Sequence, residues 1–217
     1  MPNKFKELIF NDDSSDNWLF KRYYYSGSNS RYWTFHTALS ILAQRDRVPL
    51  IIETGCQRLK EDVGAGMSTS IFGEYCLRYG GKLYTVDLFP NHLDICKACT
   101  KKYASHIEYV LSDSVAWLKE SAVGAADLIY FDSLDYPISP DGLSCTSNEE
   151  ALKSQQHCLN EFLAAEESSK IDDRTLILID DNQLPGGGKP RLLKQHLSQA
   201  GWVCLMDHQQ SLWAREL

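Results

Sequence analysis

Residues 50–87 constrain the fold more than any other part of the chain. They open with Leu50-Ile-Ile-Glu-Thr-Gly-Cys56, an apolar run too short for a buried helix that ends in an acid and a glycine. A glycine-containing turn, Gly64-Ala-Gly-Met-Ser-Thr69, then leads into a helical pattern, and a second apolar run at 83–86 closes on Asp87. The order is strand, loop, helix, strand. The second acid follows the glycine turn by about 20 residues, the spacing at which a carboxylate meets a ribose. Glycines let backbone approach a ligand closely, and a helix start offers unpaired N–H groups to a charged tail. The stretch reads as a site for a nucleoside-bearing cofactor.

The same alternation continues to the end. Residues 31–45 repeat apolar side chains at helical spacing (Trp33, Phe35, Ala38, Leu39, Ile41, Leu42). Helices are expected over 91–103, 114–120, 147–167 and 190–200, the third carrying Leu152, Leu159, Phe162 and Leu163. Strands are expected at 107–111, 127–131, 175–179, 202–206 and 211–215. Uninterrupted apolar strands separated by helices imply a mainly parallel sheet covered on both faces, and the tight Asp207-His-Gln-Gln connection implies an antiparallel hairpin at its edge. Residues 1–30 are polar but carry Trp18, Phe20, Tyr23, Tyr24 and Tyr25, so they read as a lid or edge cap. One domain over 1–217 is expected, with a cap and helix at 1–46 and the α/β core at 47–217.

A net charge of −7 argues against nucleic acid or an anionic membrane as the main partner, because both reward basic surfaces. A small-molecule acceptor remains, and self-association is left open. No apolar run reaches the roughly 20 residues of a membrane span, and the N-terminus lacks a signal-peptide core, so a cytoplasmic protein is expected. Seven cysteines, an odd number, read as reduced thiols, and the Cys96/Cys99 pair lacks the partners of a zinc site.

On these residues the chain resembles the class I S-adenosylmethionine-dependent methyltransferases from about residue 50 onward. The resemblance implies a Rossmann-like three-layer α/β/α sandwich around a seven-stranded, mostly parallel sheet. It also implies the family's ligand contacts. Glu53, Gly55, Gly66, Ser68 and Thr69 match the element that holds the methionine end, Asp87 the ribose acid, and Asp113 with Ser114 the adenine contact. The match departs at 56–63, which interrupt the family's compact glycine loop. Those residues are a surface insertion, or Gln57, Arg58 or Lys60 folds over the ligand. A dinucleotide reading is weaker, since no uninterrupted GxGxxG is present.

Acids also end the next two strands, in Tyr130-Phe-Asp132-Ser-Leu-Asp135-Tyr and Ile179-Asp180-Asp181-Asn182. Adjacent parallel strands deliver such residues to one crevice, where clustered carboxylates repel unless a hard cation or a cap relieves them. Magnesium is the simplest such ion. The pattern resembles the cation-dependent O-methyltransferases of the catechol and macrolide-sugar types, which implies Asp132, Asp181 and Asn182 as ligands, with Asp180 the near neighbour. Those enzymes of catechol type place a lysine base where this chain has Asp135, which could take the proton, join the metal or cap the loop. Gly186-Gly-Gly188-Lys189 lacks the spacing of a phosphate loop and reads as a flexible rim of the acceptor pocket. None of the six histidines is singled out. The expected function is divalent-metal-dependent O-methylation of a sugar, phenol or natural product. Its rival is a non-catalytic cofactor-binding or scaffolding protein of the same fold.

Overall fold

The structure is a computed structural model that describes residue 19 and residues 31–60 and 67–215. Its elements are α1 (Arg31–Ala43), β1 (Leu50–Thr54), α2 (Ser68–Tyr79), β2 (Lys82–Asp87), α3 (Pro90–Thr100), β3 (Ile107–Leu111), α4 (Ser114–Glu120), β4 (Leu128–Phe131), α5 (Asn148–Glu167), β5 (Leu176–Ile179), α6 (Arg191–Gln199), β6 (Val203–Asp207) and β7 (Ser211–Ala214). The seven strands form one sheet in the order β3-β2-β1-β4-β5-β7-β6. Strands β1 to β5 are parallel, and β7 inserts antiparallel between β5 and β6. The architecture is the Rossmann-like one expected from the sequence.

The central strands are apolar throughout because both faces are covered. Leu128 and Tyr130, Leu176 and Leu178, and Leu212 and Ala214 enter one core with α1 and α2. Their alternates Ile129 and Phe131, Ile177 and Ile179, and Trp213 enter the other, with α5 and α6. On the first face Phe35, Phe72 and Tyr130 meet edge-to-face, with centroids 5.5 to 5.7 Å apart.

Local signals set the helix ends. The Ser147 hydroxyl accepts from the Glu150 N–H at 3.2 Å to start α5, Asp113 accepts from the Ala116 N–H at 2.9 Å to start α4, and α2 stops at Gly80 in the left-handed conformation. The buried face of α5 is not the one its leucines mark. Leu152 and Leu163 face outward, and the helix lies on the sheet through Ala151, Ser154, Cys158, Phe162 and Ala165. Small side chains let the helix axis approach closely, which the leucine spacing does not reveal. On α1, likewise, Trp33 is exposed and Tyr32 is buried in its place. All seven cysteines are free, and Cys96 packs with Cys56 and Leu93. Of the expected N-terminal cap, only Leu19 among residues 1–30 is described, and it is buried against the first core. No described helix is long and apolar enough to cross a membrane.

Phe72 is fully buried in the aromatic cluster, so Phe72→Ala should cost about 3–5 kcal/mol. A lowered urea midpoint with an unchanged slope is the expected reading; an unchanged midpoint would show that the cluster contributes little.

Candidate functional site

The carboxyl ends of the parallel strands open onto a cavity of about 450 Å³, within the roughly 300–1,000 Å³ usual for small-molecule sites. Gly55 from the end of β1, Asp87 from β2, Asp113 and Ser114 from the β3–α4 junction, and Asp132 and Asp135 from beyond β4 all line it. The structure thus brings together six of the residues singled out in the sequence. Gly55 must be glycine. Its φ is +79°, and a Cβ there would lie 2.3 Å from the Asp132 carbonyl oxygen, so β1 and β4 cross too closely for a side chain.

Asp87 is held in place. Its Oδ1 accepts the Phe89 N–H at 2.8 Å and lies 3.1 Å from His92 Nδ1, while Oδ2 meets only the Cys56 thiol at 3.4 Å. Among the described contacts, Oδ2 is the oxygen left for a ligand. Leu88 and Phe89, more than half exposed on the lip of the cavity, offer an apolar surface for a flat ring. Asp113 serves as the cap of α4, and the Ser114 hydroxyl lies 3.2 Å from His157 Nε2, which also reaches Ser133 Oγ at 3.0 Å. Burial opposes the charge on His157, and Glu161, 3.5 Å away on the next turn of α5, outweighs it and raises its pKa.

Glu53 lies below this surface. It is fully buried, and Oε2 accepts from Thr69 at 2.6 Å and Thr85 at 2.8 Å, whereas Oε1 is buried with no hydrogen-bond partner among the described residues. Burial raises its pKa to about 7 against the pull of hydrogen bonds from Ser68, Thr69 and Thr85. Thr69 and Ser68 thus brace Glu53 rather than line the cavity. Gly66 lies outside the described residues. In the 56–63 departure from the family pattern, Gln57 is buried: its N–H donates to Thr69 and its side-chain oxygen accepts from Ser70. Arg58, by contrast, crosses the cavity to pair with Asp135 at 2.7 and 2.8 Å.

That pairing bears on Asp135. Hydrogen bonding to Arg58 holds its carboxyl below the usual range, and both oxygens are engaged, so it is a poor proton acceptor. The acids after β4 and β5 form a second cluster beside the cavity. Phe131 pairs with Ile179, which puts Asp132 and Asp180 side by side. The Tyr130 hydroxyl bridges them, donating to Asp180 at 2.8 Å and lying 3.3 Å from Asp132. Arg31 takes both oxygens of Asp180 at 3.1 Å.

The proposed metal ligands do not fit a divalent ion. The Lys189 ammonium stands between Asp132 and Asp181, 2.7 Å from the first and 3.4 Å from the second. Asn182 turns the other way: its amide donates to Asp207 at 2.6 Å and its oxygen accepts from Lys194 at 2.9 Å. Among the described residues, no group of three or more His, Cys, Asp or Glu side chains is arranged to hold a metal. The Gly186–188 segment folds as a tight turn that leads into Lys189. Gly186, Gly187 and Gly188 all have positive φ, and a Cβ on Gly188 would lie 1.8 Å from the Asp181 carbonyl oxygen. Sequence reading passed over Arg31 and set aside His92 and His157; it named Arg58 as a residue that could fold over the ligand and Lys189 only as part of a pocket rim. The one available signal was three consecutive glycines ahead of a lysine, which a turn aimed inward explains.

No protein-family model matches the sequence, and comparison with curated proteins finds no relative. Solved structures do match. PaMTH1, a methyltransferase of Podospora anserina solved with SAH, aligns over 100% of this chain and 89% of its own at 16% identity and a TM-score of 0.57. NSun6 of Pyrococcus horikoshii, solved with SFG, aligns over 81% of this chain at 12% identity and a TM-score of 0.59; the match spans 49% of that protein. SMU.1697c of Streptococcus mutans, in complex with SAH, gives 82% and 94% coverage, 12% identity and a TM-score of 0.52. At such identities the likeness establishes the fold, which is that of the class I S-adenosylmethionine-dependent methyltransferases.

Glu53 makes stability depend on pH. Its folded pKa of about 7 exceeds the ordinary 4.5, so protonation stabilises the fold below pH 4.5 and that contribution is lost as pH rises to about 7. The loss is on the order of 3 kcal/mol. Glu53→Gln should flatten this part of the profile in urea titrations across that window; parallel profiles for the two proteins would contradict the assignment.

Proposed function

We propose that this protein is an S-adenosylmethionine-dependent methyltransferase that acts on a hydroxyl of a small acceptor, such as a sugar, a phenol or a natural product. One observation carries the reading. In a chain with the methyltransferase fold, Gly55, Asp87, Asp113 and Ser114 line the same cavity, at the ends of three consecutive strands. The residues fit the cofactor: Asp87 presents Oδ2 to a ribose, Leu88 and Phe89 present apolar surface to a purine, and the Gly55 backbone admits a close approach. When bound, S-adenosylmethionine supplies an electrophilic methyl group to a nucleophilic oxygen.

The chain's own residues then act by position. Asp132 is 24% exposed on the same cavity and presents a hydrogen-bond acceptor to an incoming hydroxyl. Arg58 and Asp135 pair on one side of the cavity and fix the shape of that wall. The negative charge of the whole chain and the acids of the cleft favour a neutral or cationic small acceptor over a polyanion.

Titration calorimetry with S-adenosylhomocysteine should show one site per chain, and Asp87→Ala should weaken it at least tenfold, about 1.4 kcal/mol. No binding at about millimolar ligand removes the reading. Incubation of the protein and S-adenosylmethionine with a panel of hydroxylated small molecules, followed by mass spectrometry, should find an acceptor carrying one added methyl group.

A further inference from the structure

The geometry points to Lys189 as a built-in cation that fills the place a divalent metal would need, so that the acceptor side of the cleft is held together by an ammonium and excludes metal ions. Three carboxylates meet at the ends of β4 and β5: Asp132, Asp180 and Asp181. Two cations answer them. Arg31 Nε is shared between the two oxygens of Asp180, and Lys189 is shared between Asp132 and Asp181. Lys189 is 1% exposed and its ammonium forms a 2.7 Å charge-assisted hydrogen bond, so it is not a surface side chain that drifted toward acids.

The backbone is built to deliver it. Three left-handed glycines fold the chain back over Asp181, in a space at Gly188 that admits no Cβ, and the next residue is Lys189. Gln155 on α5 donates to the Gly188 carbonyl at 3.2 Å, and Tyr136 donates to that of Pro185 at 2.8 Å, which pins both ends of the turn. A metal ion entering here would need bare carboxylate oxygens at about 2.0–2.6 Å. It would meet an ammonium instead. Nor is Asn182 free to complete a coordination shell, because its oxygen accepts from Lys194.

For methyl transfer the consequence rests on the function proposed above: Lys189 is a positioning residue that fixes Asp132 at the cavity wall, and turnover needs no divalent ion. The identity of the cation does not rest on that function, and manganese binding reads it without any turnover. Manganese titrated into the full chain should stay free, as seen by its electron paramagnetic resonance signal. Lys189→Met, which keeps the length and removes the charge, should sequester one manganese per chain, and the further change Asp132→Asn should release it. Two results would overturn the inference. One is a wild-type protein that sequesters manganese at a site lost in Asp132→Asn, an arm that stands even if Lys189→Met does not fold. The other is a Lys189→Met protein with native circular dichroism that leaves the ion free. If the manganese results hold but no methyl donor binds, the cation assignment survives and the methyltransferase reading falls.

Discussion

The central parallel strands β1, β4 and β5, buried on both faces, leave most polar side chains nowhere to go except the strand ends. Every residue from Leu128 to Phe131 and from Leu176 to Ile179 is sealed in one of two apolar cores, and the first residue beyond each strand is an aspartate. The register that pairs Phe131 with Ile179 then sets Asp132 against Asp180. Two carboxylates forced together in a site largely closed to water must be answered by positive charge or by protons. Most of the chemistry-bearing arrangement follows from that requirement. Arg31 at the start of α1, Tyr130 beneath and Lys189 beyond the glycine turn each satisfy part of it.

The crevice consequently has two halves with opposite character. On the side of β2 and β3 the carboxylates that line the cavity are anchored to the backbone: Asp87 accepts the Phe89 N–H, and Asp113 accepts the Ala116 N–H. That half is open and lipped by apolar side chains. On the side of β4 and β5 the carboxylates are anchored to cations from distant parts of the chain, which closes that half. Asp132 belongs to both, since it lines the cavity and receives the Lys189 ammonium. Burial and the neighbouring Asp180 and Asp181 press its carboxyl upward against the pull of Lys189, whereas Arg58 presses that of Asp135 downward. Two aspartates three residues apart thus hold protons very differently.

Much of this was legible in the chain. Apolar runs of four to six residues between amphipathic stretches specify buried parallel strands, and glycine or acid at their ends specifies the functional edge. What the sequence left unread was direction. Leu152 and Leu163 sit at helical spacing yet face solvent, because the small residues Ala151, Ser154 and Cys158 decide how closely α5 approaches the sheet. Asn182 follows Asp181 in sequence but points to the β6–β7 hairpin, where Asp207 and Lys194 hold it. Asp135 stands where a base was expected, and Arg58 claims it from 77 residues away.

Sequence alone determined the order of elements, the sheet and the edge at which the cleft opens, since these rest on periodicity and on residues a few positions apart. Only the tertiary structure decided which charge faces which. Lys189 lies 57 residues from Asp132, and Arg31 lies 149 from Asp180, and no local pattern records such a pairing. The physical reason is that hydrophobic burial is non-directional and is written in composition along the chain. An ion pair requires two side chains to meet within a few ångströms, and only the assembled fold brings them there.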